Sequence, residues 1–247
     1  MILFNTGVMI ATPNGGNEGA NPTPLALGIL QEGAMDVSWD VKTLYGQNQF
    51  PVAVATGKGK VSGTAKFASV TGKTVSDLFF GQGTVTGNNT PIYLEADTIP
   101  ATPYQVTVAQ SAHFVADLGV NYTATGVALV RVASGPVTGQ YSVNAGTGVY
   151  TFAAADTTLG VQISYLYSIS ASGFKSVIAN QLMGFGPQFE MDFWITYNNQ
   201  TTLFRAYSCI MTKWGLPSKQ GDFLIQDVAF ECFANAAGNI FELDYTS

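Results

Sequence analysis

Hydrophobic and polar positions alternate with a period of two through most of the chain. From 35 to 45, Met35, Val37, Trp39, Val41, Thr43 and Tyr45 share one side, and Asp36, Ser38, Asp40 and Lys42 share the other. This predicts a half-buried antiparallel strand. Residues 57–68 repeat the pattern, with Val61, Ala65 and Phe67 on one side and Lys58, Lys60, Ser62, Thr64 and Lys66 on the other. Phe50 to Ala55 reads as a further strand segment. Antiparallel pairing of the two runs would set acids against lysines, each such pair contributing about 0.2–1 kcal/mol. Lys73 to Phe80 is the best short-helix candidate, and Gly81 suits its C-terminal stop.

The same alternation returns near the C-terminus. Phe189, Met191, Phe193, Ile195 and Tyr197 lie opposite Glu190, Asp192 and Thr196, and Asn198-Asn199-Gln200 predicts a hairpin turn into Leu203–Trp214. Residues 222–233 are apolar on both faces and read as a central strand. Asn239–Leu243 is a short final strand. Between these regions, residues 85–180 carry short strand-like runs at Tyr104–Ala109, Val127–Val132, Gln140–Val143, Gly148–Ala153 and Val161–Tyr167, separated by turn formers. The expected organisation is an N-terminal arm (1–34), a β domain from 35–84 and 181–247, and an inserted all-β domain (85–180). The ends of an insert should lie close together, so that its host can pack. In the arm, Pro13-Asn14-Gly15-Gly16 and Asn21-Pro22-Thr23-Pro24 punctuate the chain, and only Leu25 to Leu30 looks able to pack.

Composition narrows the function. Of 247 residues, 47% are hydrophobic and only 11% charged, with a formal net charge of −6. Ordinary domains carry about 25% charged residues, so little electrostatic repulsion guards this chain against self-association. The negative balance argues against phosphate-driven nucleic-acid binding, which needs clustered cations. No apolar run is long enough for a membrane-spanning helix, and the N-terminus lacks the basic region of a secretory signal. Cys209 and Cys232 sit in β-like runs and read as buried thiols.

Catalytic chemistry is not expected. Ser111, His113 and Asp117 supply the residue types of a hydrolase triad without a nucleophile elbow. Gly72-Lys73-Thr74 lacks the upstream glycine of a phosphate loop, Phe67 standing in its place. One His and two separated Cys give no metal-ligand spacing. The i,i+2 pair Glu95/Asp97 reads as a solvated acidic face. Asn121-Tyr122-Thr123 and Asn199-Gln200-Thr201 match the glycosylation sequon by chance. No cofactor is expected.

Three runs carry a resemblance. VSWDVKTLYGQNQFPVAVATGKGKVSGTAKFASVTGKTVSDLFFG (37–81) resembles the core of the tailed-bacteriophage tail tube (major tail) proteins: a charged alternating strand, a turn, a Gly/Lys/Thr-rich strand, then a short helix. FWITYNNQTTLFRAYSCIMTKWGLPSKQGDFLIQDVAFECFANAAGNIFELD (193–244) is similar to the closing strands of that fold. GQYSVNAGTGVYTFAAADTTLGVQISYLYS (139–168) resembles a segment of phage structural proteins, especially of long non-contractile tails. The resemblance implies a mainly β fold, a tail-tube-like antiparallel β-sandwich or barrel with one short flanking α-helix and an inserted all-β region. It further implies a virion protein, assembled in the bacterial cytoplasm, whose hexameric rings stack into the conduit for genome ejection. The implied partners are further copies of itself and the tape measure, tail terminator and distal tail proteins. DNA would pass transiently, and no membrane is involved. The alternative is a tail-tip, baseplate or receptor-binding protein that uses the insert.

A conduit for DNA must not hold it, so its wall should lack free cations. On that argument the candidate lumen-facing residues are Asp36, Asp40, Glu190 and Asp192. Open strand edges and the arm should make the contacts between subunits. The candidate inter-subunit residues are Leu25, Leu27, Tyr45, Gln47, Phe50, Lys58, Lys60 and Lys66. The weakly charged insert is expected outside, as decoration or as a brace between rings.

Overall fold

The computed structural model describes residues 7–14, 22–69 and 71–246. It divides into two compact units, one formed by residues 1–84 with 176–247, the other by Val85–Lys175. In chain order the first unit contributes β1 (Val8–Pro13), β2 (Leu25–Ala26), β3 (Leu30–Tyr45), β4 (Pro51–Phe67) and α1 (Gly72–Val75), which a π-helical turn, Ser76–Phe80, continues. The second unit holds β5 (Val85–Thr98), β6 (Gln105–Thr107), β7 (Phe114–Tyr122), β8 (Val130–Arg131), β9 (Gln140–Asn144), β10 (Val149–Phe152) and β11 (Gly160–Lys175). The first unit resumes with β12 (Gln188–Tyr197), β13 (Gln200–Gly215), β14 (Gln226–Cys232) and β15 (Phe241–Tyr245). The protein is mainly β and antiparallel, with one short helix.

The first unit is one open eight-stranded sheet in the order β2-β1-β12-β13-β14-β4-β3, with β15 also pairing β13. Its inner face buries Met9, Ala11, Val61, Ala65, Phe67, Phe189, Met191, Ala206, Val228 and Phe230. The helical segment closes over that face. Thr71 caps it, its Oγ1 accepting from the Thr74 N–H at 3.3 Å, and Gly81 stops it in the left-handed region at φ +57. Leu78 is buried in the core and Phe79 meets Trp214 at 6.3 Å between ring centroids. The Asn198-Asn199 turn joins β12 to β13 with both residues at positive φ, the geometry that a two-residue hairpin needs.

Three expectations change here. Phe50–Ala55 and 57–68 form a single strand, β4, rather than two segments. The central strand starts at Gln226, leaving Phe223 exposed ahead of it. Part of the expected arm is sheet: β1 pairs β12 along its whole length, because the edge of β12 leaves backbone groups that β1 satisfies. Residues 1–6 and 15–21 of that arm lie outside the described residues.

The second unit packs a three-stranded sheet, β5-β11-β7, and a four-stranded sheet, β6-β10-β9-β8, around one core. Tyr150 and Tyr165 are fully buried in it, so their hydroxyls need partners. Tyr150 donates to Asp117 Oδ1 at 2.9 Å and Tyr141 to Asp117 Oδ2 at 2.7 Å. Tyr165 donates to Glu95 Oε2 at 2.7 Å, while the Ala109 N–H donates to Glu95 Oε1 at 2.9 Å. Glu95 is therefore a structural acceptor, not part of a solvated acidic face. Burial and the neighbouring carboxylate push the Tyr165 hydroxyl up to about 12, and raise Tyr141 and Tyr150 further. The chain enters and leaves this unit on paired residues, Val85 opposite Lys175 and Thr86 opposite Phe174.

Candidate assembly surface

The surface begins with a mismatch of strand lengths. β4 has 17 residues and its neighbour β14 has 7. Along β4, β14 pairs only with Val61–Phe67. Beyond Val61, residues 51–60 of β4 pair with β3 alone, from Tyr45 opposite Pro51 to Ser38 opposite Lys60. The result is a two-stranded ribbon about 33 Å long, at about 3.3 Å per residue. β3 closes the sheet, so its outer edge is open along 16 residues among those described.

Register fixes the faces of this ribbon. Val61 lies in the core and stands opposite Val37. The side chains that continue the same face outward are Trp39, Val41, Thr43 and Tyr45 from β3, with Thr56 and Val54 opposite Val41 and Thr43. The core-facing stripe thus runs on past the point where the core ends. Trp39 is 58% exposed, Val41 60%, Val54 61% and, at the tip, Phe50 80%. Trp39 lies across Gly59, where a Cβ would come within 3.0 Å of its Nε1. The missing side chain at Gly59 gives the indole its seat.

The outer face of the sheet carries its charges, which are organised, beside apolar side chains such as Val8, Trp194 and Leu203. Lys66 donates to Glu32 at 2.5 Å, and Lys60 pairs with Glu231 at 2.6 Å. Lys213 donates to Asp227. Arg205 donates from Nε to Asp192 Oδ1 at 2.7 Å and lies 3.2 Å from Glu190 Oε1. Tyr207 donates to Glu242 at 2.6 Å beside them. The hydrogen bond from Arg205 to Asp192 holds the guanidinium above its usual range, and Glu32 does the same for the Lys66 ammonium. Glu190 is raised by burial and then by the Asp192 charge, against the pull of Arg205. Lys60, Lys66, Arg205 and Lys213 on this face are each held by a carboxylate, whereas Lys42, on the same side of β3, is exposed with no carboxylate partner among the described residues.

The expected site residues separate into groups. Asp36 and Asp40 are exposed on the polar side of β3. Glu190 and Asp192 share a face, but Arg205 bridges them, so they are not an unpaired acidic row. Tyr45, Gln47, Phe50 and Lys58 sit exposed on the ribbon or at its tip. Lys60 and Lys66 are committed to Glu231 and Glu32 rather than to Asp36 and Asp40. Leu27 is buried and Leu25 packs against the same core, so both serve the core of their own chain. The Leu27 N–H donates to the Met9 carbonyl at 3.1 Å, which holds the segment in place. The sequence reading missed Arg205, Tyr207 and Glu242. Counting back from the Asn198-Asn199 turn places Asp192 opposite Arg205, which is the observed register.

No protein-family model matches the sequence, and no curated protein matches it at a significant level.

Proposed function

We propose that this chain is a structural subunit that completes itself against further copies, closing into hexameric rings that stack as a phage tail tube for genome passage. The observation that carries this reading is the ribbon, whose apolar face continues the core and is left exposed by the described residues of its own unit. A two-stranded ribbon alone is marginal in water, and contiguous exposed apolar surface of this kind marks an interaction site. Burying a side chain the size of Val or Leu stabilises by about 1.5–3 kcal/mol, and each copy offers several. The open edge of β3 adds a row of unpaired backbone groups suited to a neighbouring strand.

The charge-bearing outer face supports the conduit half of the proposal. Cations that are already engaged by carboxylates release few counterions on meeting phosphate, and the net charge of −6 repels it. In the proposal this face lines the channel.

Light scattering and electron microscopy of the purified full chain test the reading. Rings or tubes with sixfold symmetry are expected. Trp39→Ser combined with Val41→Ser should abolish them while leaving subunit stability within about 0.5 kcal/mol, as for exposed sites in general. A species that stays monomeric at every concentration would overturn the proposal, and a trimer would favour a tail-tip or receptor-binding role.

A further inference from the structure

The two cysteines, far apart in sequence, stand directly opposite one another on β13 and β14. Their sulfurs are 3.2 Å apart, the Cys209 thiol donating to Cys232 Sγ. The Phe233 N–H donates to the Ser208 carbonyl at 2.9 Å, which makes 209/232 the adjacent non-hydrogen-bonded pair of the ladder. Such pairs have Cα atoms about 4.5 Å apart, inside the roughly 4.4–6.8 Å range of disulfides. Both side chains point to the inner face, Cys209 fully buried and Cys232 partly open to solvent.

We propose that Cys209 and Cys232 are a disulfide-forming pair, closed by exchange with a small-molecule disulfide such as oxidised glutathione. The accessible Cys232 acts first. Its thiolate attacks one glutathione sulfur, that S–S bond breaks, and one glutathione leaves as thiolate. Cys209 then gives up its proton and attacks Cys232 Sγ, forming the protein disulfide and expelling the second glutathione. Two protein thiols are oxidised, one glutathione disulfide is reduced to two thiols, and the two protons end on them. The hydrogen bond from Cys209 lowers the Cys232 thiol and raises its own, which favours this order. The bond does not depend on the assembly reading; only its timing does, since a reducing cytoplasm keeps thiols open and an external medium closes them.

The test is intact-mass spectrometry and thiol alkylation under denaturing conditions, before and after oxidised glutathione is added to the native full chain. The wild type should lose the mass of two hydrogens and all alkylatable thiol, and remain a single chain on a non-reducing gel. Cys209→Ser should instead gain one glutathionyl group, and Cys232→Ser should remain unmodified while folded. Retention of both thiols in the wild type, a disulfide between chains, or an unreactive Cys232 in the Cys209→Ser variant would each overturn the proposal.

Discussion

The two units solve the same problem in opposite ways. Each is mainly antiparallel β with a buried apolar face, yet the second unit closes its core between two sheets of its own. Its two sheets face each other, and the polar ends of its large buried side chains are met by Asp117 and Glu95. The first unit has a core where α1, the π-turn and the inner strands overlap, then runs out of cover along the ribbon. Covering an apolar face takes a second layer, and where the described residues of the unit supply none, surface such as Trp39 and Val41 stays exposed. The contrast separates having a core, which both units do, from covering the apolar face along its whole length, which the described residues of the first unit do not do.

The contrast can be strained from either side. Phe230→Ala removes a fully buried ring that packs on Gly63, where a Cβ would sit 2.3 Å from Phe230 Cζ. It should cost the first unit about 3–5 kcal/mol and leave the denaturation of the second unchanged, as followed by hydrogen exchange in each. Asp117→Ala strands the Tyr141 and Tyr150 hydroxyls, at about 1–3 kcal/mol for each group left unsatisfied. Here the loss should fall on the second unit alone. High pH acts on these two tyrosines and on Tyr165, whose hydroxyl is held by Glu95. A raised folded pKa gives stability that is full below the ordinary value of 10.0 and fades as pH rises through the folded value, about 12 for Tyr165. Alkaline titration by circular dichroism should therefore weaken the second unit above pH 10. The smallest effect belongs to Glu190→Gln. Because the Glu190 carboxyl is raised, its ionised form fits the folded state less well than the unfolded one. The variant should melt slightly higher at neutral pH, and the gain should vanish as pH falls below the ordinary value of 4.5.

What the sequence disclosed follows from which forces are local. β3, β4, the helix stopped by Gly81 and the Asn198-Asn199 turn were legible because periodicity and turn chemistry act over a few residues. β5 and β7 were hidden. Pro91 sits within β5, which tolerates it as an edge strand, and Gly119 in β7 adopts φ +113. Both resemble loop signals until a partner strand is known. Of the assembly surface, the alternation of Trp39, Val41 and Tyr45 was visible, but its exposure depends on where β14 ends, a long-range fact. Leu25 and Leu27 show the reverse error. An apolar pair in an expected arm reads as a contact with a neighbouring copy, and the core of the same chain takes it instead. The cysteine pair needed the bulge between Met211 and Lys213 and the length of the 216–225 loop, neither of which is written in a local pattern.

The paired exit and return at Val85 and Lys175 has an engineering consequence. Because the strand spacing there is about 4.8 Å, the gap between Thr84 and Ser176 is one that a tight reverse turn can bridge. The site is thus a natural socket, where a foreign domain with adjacent termini could be spliced in place of the resident one without lengthening the host scaffold.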